Sequence, residues 1–392
     1  MKGPPLMDFD LTPEQELLRS SVAALGQRYG HSYYVSKAKA GEHTDELWAE
    51  AAKLGYLGVS VPESYGGGGA GITELAIVTE ELAAAGCPLL LLVVSPAIVA
   101  TIVARHGTEP QRAAYLPGLA DGTLKACFAI TEPDAGSNFH NLATVARRDG
   151  SDYVLSGRKV YISGVDECGF VLVVARMADE RTGRLQPALF LVPTDNPGLS
   201  FTKIDMEIVS PENQFMLFLD DVRVPADALI GESAETGLPA LFTGLNPERI
   251  TVAAMGVGMG RYALGRASAY TSSRSVWGRS IGSHQGVSHP LAHAAIQVEL
   301  ARLMVAKAAA LYDAGRDIEA GVAANMAKYA SSEAAFLAVD TAIQAHGGNG
   351  MTTEYGVATM MGGARAGRIA PVSREMILNF VAQHVLGQEK SY

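Results

Sequence analysis

Cysteine, tryptophan and surplus positive charge are all scarce in this sequence, and each scarcity removes a class of protein. There are two tryptophans and three cysteines in 392 residues. Cys87, Cys127 and Cys168 are widely spaced among apolar neighbours and read as reduced core thiols, not as a disulfide framework or a zinc site. Lys and Arg number 31 against 41 Asp and Glu, a formal net charge of −10, which gives no attraction for a nucleic-acid backbone. Charged residues make up only 18% and hydrophobic ones 48%, the balance of a globular, helix-rich, oligomeric protein and not of a disordered chain. The length allows two or three domains with sizeable cores.

Long apolar runs are missing too. The opening MKGPPLMDFD has no apolar signal-peptide core, so a cytoplasmic protein is expected. Residues 87–104 come nearest to a membrane segment, but Pro88 and Pro96 interrupt them, and a span needs about 20 apolar residues. A pair of buried helices is expected there instead. The glycines at 66–69 are not followed by Lys-Ser/Thr, so they predict a flexible loop and not a phosphate-binding P-loop. Gly256, Gly258 and Gly260 follow no strand and lack the dinucleotide fingerprint spacing; they predict close helix packing. His289 and His293 stand four apart, but Pro290 intervenes and no third ligand is recognisable, so no metal site is expected. Neither an internal repeat nor a low-complexity tract is present.

What the sequence does contain falls into three blocks: a helical domain over 1–122, a compact β-domain over 123–232 and a second helical domain over 233–392. The first helix is announced by Thr12 as N-cap, Pro13 at the first helical position and Gln15 closing a capping box, with Leu17, Leu18, Val22 and Leu25 on one face. Further helices are predicted at 45–54, 72–85 and 109–119, with Glu80 and Glu81 on a solvated or interface face. Short apolar runs at 153–155, 171–174, 188–192 and 215–219, bounded by Gly, Asp, Pro and Asn, predict strands.

The stretch with the most legible chemistry is FAITEPDAGSN at 128–138. Phe128, Ala129 and Ile130 form a short buried strand, Thr131 and Glu132 leave it, and Pro133, Asp134, Ala135 and Gly136 supply turn chemistry. The amides beyond the turn, with the Ser137 hydroxyl and the Asn138 amide, suit a phosphate.

That string resembles the flavin-binding signature of the acyl-CoA dehydrogenase family, and GRKVYIS at 157–163 resembles the family's second flavin string. LGYLGVSVPESYGGGG at 54–69, TEELAAAG at 79–86 and DVRVP at 221–225 are further family-like pieces. The resemblance spans nearly the whole chain. It implies an α+β fold of the acyl-CoA dehydrogenase type, with an N-terminal helical domain, a middle β-barrel-like domain and a C-terminal helical bundle. It also implies FAD as cofactor. Thr131 would bond the flavin ring, Ser137 would meet the pyrophosphate and the substrate, and Tyr161 and Ser163 would lie near flavin N5; Phe128, Ile130 and Gly136 belong to the same contact set. The family more often has Trp and Thr where Tyr161 and Ser163 stand, but the ring and the hydroxyl are kept. Arg274, Trp277 and Gln285 resemble the family's contacts to the adenosine half of FAD, and Gln344, Gly347 and Gly348 its glycine-rich pyrophosphate loop. In the family both come from a neighbouring subunit, which implies a homotetramer built as a dimer of dimers.

The implied reaction is α,β-dehydrogenation of an acyl-CoA thioester to the trans-2-enoyl-CoA, with electrons passed to electron-transfer flavoprotein. Most family members carry the catalytic carboxylate in a C-terminal Tyr-Glu-Gly-Thr string. The matching residues here are Ala370, Pro371, Val372 and Ser373, so the glutamate has become a proline. The isovaleryl- and long-chain-type members instead place the base on an earlier helix, just before an arginine, and this chain has Glu248 and Arg249 there. Glu248 is therefore expected to be the base, with Arg249 as its electrostatic neighbour and a substrate contact. The competing reading of Glu248 is a first-turn residue favoured by the helix dipole after Asn246 and Pro247, and Glu375 is an outside candidate for the base. Pro371 and the Gly362-Gly363 pair also leave open a catalytically silent subunit of a heteromeric enzyme. A flavin oxidase or monooxygenase on the same scaffold is a third possibility.

Overall fold

The computed structural model describes residues 10–179 and 183–390. Helix α1 (Pro13–Ala40) begins with the expected capping box: Gln15 N–H donates to Thr12 Oγ1, and the Gln15 side chain accepts from Thr12 N–H. It continues to Ala40 through a kink at Gly30, where φ is +70°. Helices α2 (Asp45–Lys53) and α3 (Ile72–Ala84) follow. Between them, 66–69 is not a loose loop. Gly68 and Gly69 N–H groups donate to Gly58 O and Val61 O, both at 2.9 Å, and a Cβ on Gly67 would lie 2.1 Å from Val61 O. The glycines are there because backbone packs on backbone.

Residues 87–104 also depart from expectation. Instead of two helices broken by proline there is one continuous run: a fully buried π-helical segment, Val93–Ala100, passing into α4 (Thr101–His106). The wider turn accommodates Pro96, which has no N–H to give an ordinary α-helical ladder. No helix of the described residues is long and apolar enough to cross a membrane. Helix α5 (Glu109–Ala120) has its own Thr108/Gln111 capping box.

Seven strands follow: β1 (Ala126–Ala129), β2 (Val145–Asp149), β3 (Asp152–Ser163), β4 (Phe170–Ala178), β5 (Leu185–Pro193), β6 (Leu199–Ile204) and β7 (Gln214–Val224). They form one sheet with β5 and β6 at its edges. Strand β1 pairs parallel with the first half of β4, Ala126 opposite Phe170, and β2 pairs parallel with its last part, Val145 opposite Arg176. The two therefore lie end to end along β4, and the 128–138 string leaves the sheet through the junction between them. The aliphatic strand residues pack on α1, α2, α5 and the π-helical run in one shared core.

The C-terminal part is helical: α6 (Gly237–Ser273), a small hairpin of β8 (Ser275–Val276) and β9 (Arg279–Ser280), α7 (Gln285–Asp313), α8 (Asp317–His346), α9 (Met361–Ala366) and α10 (Arg374–His384). Its core is lined with alanine on α6, α7 and α8 and closed by α3; small side chains let the axes approach closely. The glycines of α6 serve the same end. A Cβ on Gly258 would stand 2.3 Å from Glu80 O and 2.6 Å from Ala83 Cβ, and one on Gly260 would stand 2.8 Å from Val298 Cγ2. Gly258→Ala is accordingly expected to cost about 1–3 kcal/mol through overpacking, read as a lower urea midpoint with an unchanged m-value.

Glu80 and Glu81 do not face solvent. Both are buried, and Arg261 of α6 reaches across to each of them at 2.6 Å, while Arg19 of α1 bonds Glu81 at 3.0 Å. Apparently solvated acids on α3 thus become the inter-helix ion network, because the partner cations lie far away in sequence. Cys87, Cys127 and Cys168 are free and buried.

Candidate active site

A cavity of about 1,880 Å³ opens where the sheet, the π-helical run and the C-terminal helices meet. A single drug-sized ligand needs at most about 1,000 Å³, so the space admits two molecules side by side. Its walls carry nine of the residues singled out from the sequence: Phe128, Ile130, Thr131, Gly136, Ser137, Tyr161, Ser163, Glu248 and Arg249. Pro371 lines it too.

On the sheet side, the tight turn after β1 is closed by reciprocal bonds between Glu132 and Ala135, at 3.2 and 3.1 Å. Val160 N–H donates to Thr131 O at 3.0 Å, tying the turn to β3. The pairing of β3 with β7 slips between Lys159 and Ile162, and Tyr161 at that slip has φ +58° and is 59% exposed. A non-glycine residue held there is strained; what the strain achieves is a ring presented to the cavity. Ser163 Oγ donates to Gln214 Oε1 at 3.0 Å. Beneath the turn, the fully buried Lys159 bonds Glu132 at 2.8 Å and Ile130 O at 3.0 Å. Glu132 in turn accepts from Thr144 N–H at 3.0 Å and Ala143 N–H at 2.5 Å. Two hydroxyls and an aromatic ring beside an apolar floor suit a flat heteroaromatic ring with polar edges.

On the helical side, Glu248 sits well inside α6, which begins eleven residues earlier at Gly237. It is not a first-turn residue, so the helix-dipole account does not hold. Pro247 is tolerated within α6, and its carbonyl accepts from Thr251 Oγ1 at 2.8 Å. Among the described residues nothing hydrogen-bonds the Glu248 carboxylate. Burial raises its pKa to about 7, against the lowering effect of Arg249 and Lys328. Arg249 spends Nη1 on Leu245 O (3.1 Å) and Asn246 Oδ1 (3.4 Å), its Nε has no partner, and burial lowers its pKa. Glu375 is exposed beside Arg374 and is not among the cavity residues.

Two buried groups went unnoticed in the sequence. Glu212, also pushed to about 7 by burial and then by Glu167, lines the cavity, but its oxygens are occupied by Leu90 N–H at 2.8 Å and Ser210 Oγ at 2.9 Å. Lys328 of α8 is fully buried and donates to Val372 O at 2.5 Å. Neither carries a local sequence signal, since burial of a charge is decided by distant segments.

The other six predicted residues, Arg274, Trp277, Gln285, Gln344, Gly347 and Gly348, lie outside the cavity and are all exposed, Trp277 at 88%. The stretches that carry them meet through the Tyr270–His346 stack, 4.4 Å between centroids, and through Asn349 Nδ2 donating to Tyr270 OH at 3.0 Å. His289 and His293 are exposed on α7. The described residues bring one set of ligand-type atoms together, His43, Asp166 and Glu167, and there Lys125 already pairs with Glu167.

Comparison with known proteins agrees with this geometry. Family models match in order: the acyl-CoA dehydrogenase N-terminal domain over residues 12–123, the middle domain over 127–222 and the C-terminal domain over 235–386. The acyl-CoA dehydrogenase FadE12 of Mycobacterium tuberculosis is 61% identical over 384 residues, 98% of this chain and 99% of that protein. The long-chain specific acyl-CoA dehydrogenase of Sus scrofa mitochondria is 32% identical over 95% of this chain and 86% of its own. A glutaryl-coenzyme A dehydrogenase in complex with glutaryl-CoA superposes with a TM-score of 0.92 at 29% identity, covering 98% of each chain. The FAD complex of PigA does so with 0.89 at 26%, covering 97% of this chain and 99% of its own. A chain from a structure of the electron transferring flavoprotein of Acidaminococcus fermentans gives 0.91 at 28%, covering 97% of this chain and all of its own. With three successive domain models matched and relatives alike almost end to end, the chain belongs to the acyl-CoA dehydrogenase family.

Proposed function

We propose that Glu248 is the base in an FAD-dependent α,β-dehydrogenation of an acyl-CoA thioester. The observation that carries this reading is an acid without a hydrogen-bond partner in the wall of the cavity that also holds Thr131, Ser137, Tyr161 and Ser163. A base must have a free lone pair and a pKa near working pH. Glu248 meets both conditions, at about 7, whereas Glu212 has its oxygens engaged. A silent subunit was suggested by Pro371 and by the Gly362-Gly363 pair; an acid supplied from α6 answers the first of these.

Glu248 takes the proton from the carbon next to the thioester carbonyl. Leu90, Val93, Val94 and Ile98 surround the acyl chain and keep water out, which strengthens each charge interaction within. Thr131 and Ser163 would hold the polar edges of the isoalloxazine ring, Tyr161 would flank it, and Ser137 would meet the pyrophosphate and the substrate. Bound FAD would supply the acceptor for the hydride leaving the β carbon, with electron-transfer flavoprotein as the acceptor of its electrons. Arg249, beside the base, favours its charged form.

The working assembly in this reading is a cytoplasmic homotetramer, a dimer of dimers. Two features support it. The six exposed residues of the adenosine and pyrophosphate strings are free to meet a neighbouring subunit's flavin, and Ile296, Leu300 and Leu303 form an exposed apolar stripe on α7 of the kind that marks a protein interface.

Because the base must be ionised, the rate of flavin reduction by acyl-CoA is expected to climb as pH rises through about 7 and then level off. Stopped-flow bleaching from pH 5.5 to 9 measures it. A rate flat across that range would remove Glu248 from the role.

A further inference from the structure

We infer that Lys328 is a positioning residue for Glu248: its ammonium pins the 370–373 loop as a fixed cavity wall and supplies the counter-charge that keeps the Glu248 carboxylate able to accept a proton. The inference rests on the reading of Glu248 as the base.

The geometry begins with the loop. Val372 follows Pro371, and both line the cavity with Glu248. Three contacts hold the segment on α8: Lys328 Nζ to Val372 O at 2.5 Å, Ser332 Oγ to Gly367 O at 2.8 Å, and Arg368 Nη2 to Glu333 Oε2 at 2.6 Å. Asn325, Ser332 and Ala335 of α8 face the cavity, and Lys328 lies on that same side of the helix. Its side chain has no exposed surface, and among the described residues no carboxylate pairs with it within salt-bridge distance. An ammonium is rarely buried this way without compensation.

Three acids lie within its field: Glu248 of α6, Glu333 of α8 and Glu375 of α10. Glu333 is engaged by Arg368 at 2.6 Å and approached by Arg374 at 3.6 Å. Glu375 is exposed beside Arg374. Among the described residues Glu248 is the one of the three with neither a hydrogen bond nor an ion pair to its carboxylate, and the charges that act on it are Arg249 on its own helix and Lys328 of α8. Arg249 spends Nη1 on the preceding turn but still acts on Glu248 the more strongly of the two, and the charge of Lys328 from α8 adds to it. Burial lowers the Lys328 pKa only to about 8, so the ammonium keeps its charge at neutral pH.

Two variants separate the two roles. Lys328→Gln keeps a donor for Val372 O but removes the charge; Lys328→Met removes both. In each, the pH midpoint of flavin reduction by acyl-CoA is expected to rise by about one unit, since an opposite charge nearby favours ionisation by that much or more. The rate near pH 6.5 then falls about tenfold while the alkaline plateau is retained. Lys328→Arg should restore the midpoint. Amide hydrogen exchange over 366–374, which does not depend on turnover, should quicken in the Met variant and stay near wild type in the Gln variant. A lysine that merely holds the fold would lower the plateau at every pH and leave the midpoint unmoved, and that result in the Gln variant overturns the inference. If Glu248→Gln were to reduce flavin normally, the reading of the base would fail. If Glu248→Gln is dead and the Lys328 midpoints do not shift, only the role of Lys328 fails.

Discussion

Glu248→Gln is expected to retain its FAD and its fold and to lose reduction of the flavin by acyl-CoA by roughly 10²–10⁴-fold, the usual contribution of a positioned base. The amide has nearly the shape of the acid but cannot take a proton. The stability consequence has a definite sign. The folded pKa of Glu248, about 7, is raised above its ordinary value of 4.5, so the folded state holds the proton more tightly than the unfolded one, and ionising the group destabilises the fold as pH rises from 4.5 through 7. Replacing it with glutamine removes that penalty. The variant should therefore melt at the same temperature as wild type near pH 4.5 and at a higher one near pH 8, the pattern of a site that gives up stability for chemistry. Single-turnover bleaching and thermal scans at the two pH values test both halves. Normal bleaching in the variant would place the base elsewhere in the cavity.

Lys159→Met is the second large effect. Lys159 and Glu132 form a buried pair at 2.8 Å directly under the turn that presents Thr131 and Ser137. Burial lowers the Lys159 pKa to about 8, against the raising effect of Glu132. Removing the lysine strands the glutamate's charge and frees Ile130 O, and breaking one side of a buried pair typically costs about 3–5 kcal/mol. The urea midpoint should fall accordingly, and FAD should be lost at dilutions where wild type keeps it, because Glu132 also organises the 143–144 amides behind the turn. Adding Glu132→Gln to Lys159→Met should recover much of the stability, since a neutral amide oxygen can still accept from Thr144 N–H without a buried charge. If the single variant proved as stable as wild type, the pair would have no part in holding the turn.

Several features could be read directly from residue order because their causes are local. Thr12, Pro13 and Gln15 start α1 through bonds spanning three residues, and the turn at 133–136 closes on itself. Short apolar runs marked β3, β4, β5 and β7. The family motifs pointed to nine residues that the fold gathers into one cavity, although they lie 121 positions apart from Phe128 to Arg249. Where expectation failed, the deciding partner was remote. Glu80 and Glu81 read as a solvated or an interface face, and α6, by bringing Arg261 to them, decided against solvent. The four glycines at 66–69 looked loose until Glu63, Pro62, Gly58 and Val61 took up their amides. The competing reading of Glu248, a first-turn residue after Pro247, fails because α6 runs through that proline.

By itself the order of residues determined helices α1, α2, α3 and α5 and strands β1, β3, β4, β5 and β7, the succession of helical, β and helical blocks, and the flavin strings that mark the family, since capping, period and motif spacing act over a few residues. Only the tertiary structure decided that Glu248 faces the same cavity as Pro371 with its carboxylate unpartnered, that Tyr161 is turned outward at a slip in strand register, and that Lys328 lies buried against the emptied loop. Burial and electrostatic field depend on which distant segments come to lie side by side, and no local pattern encodes that.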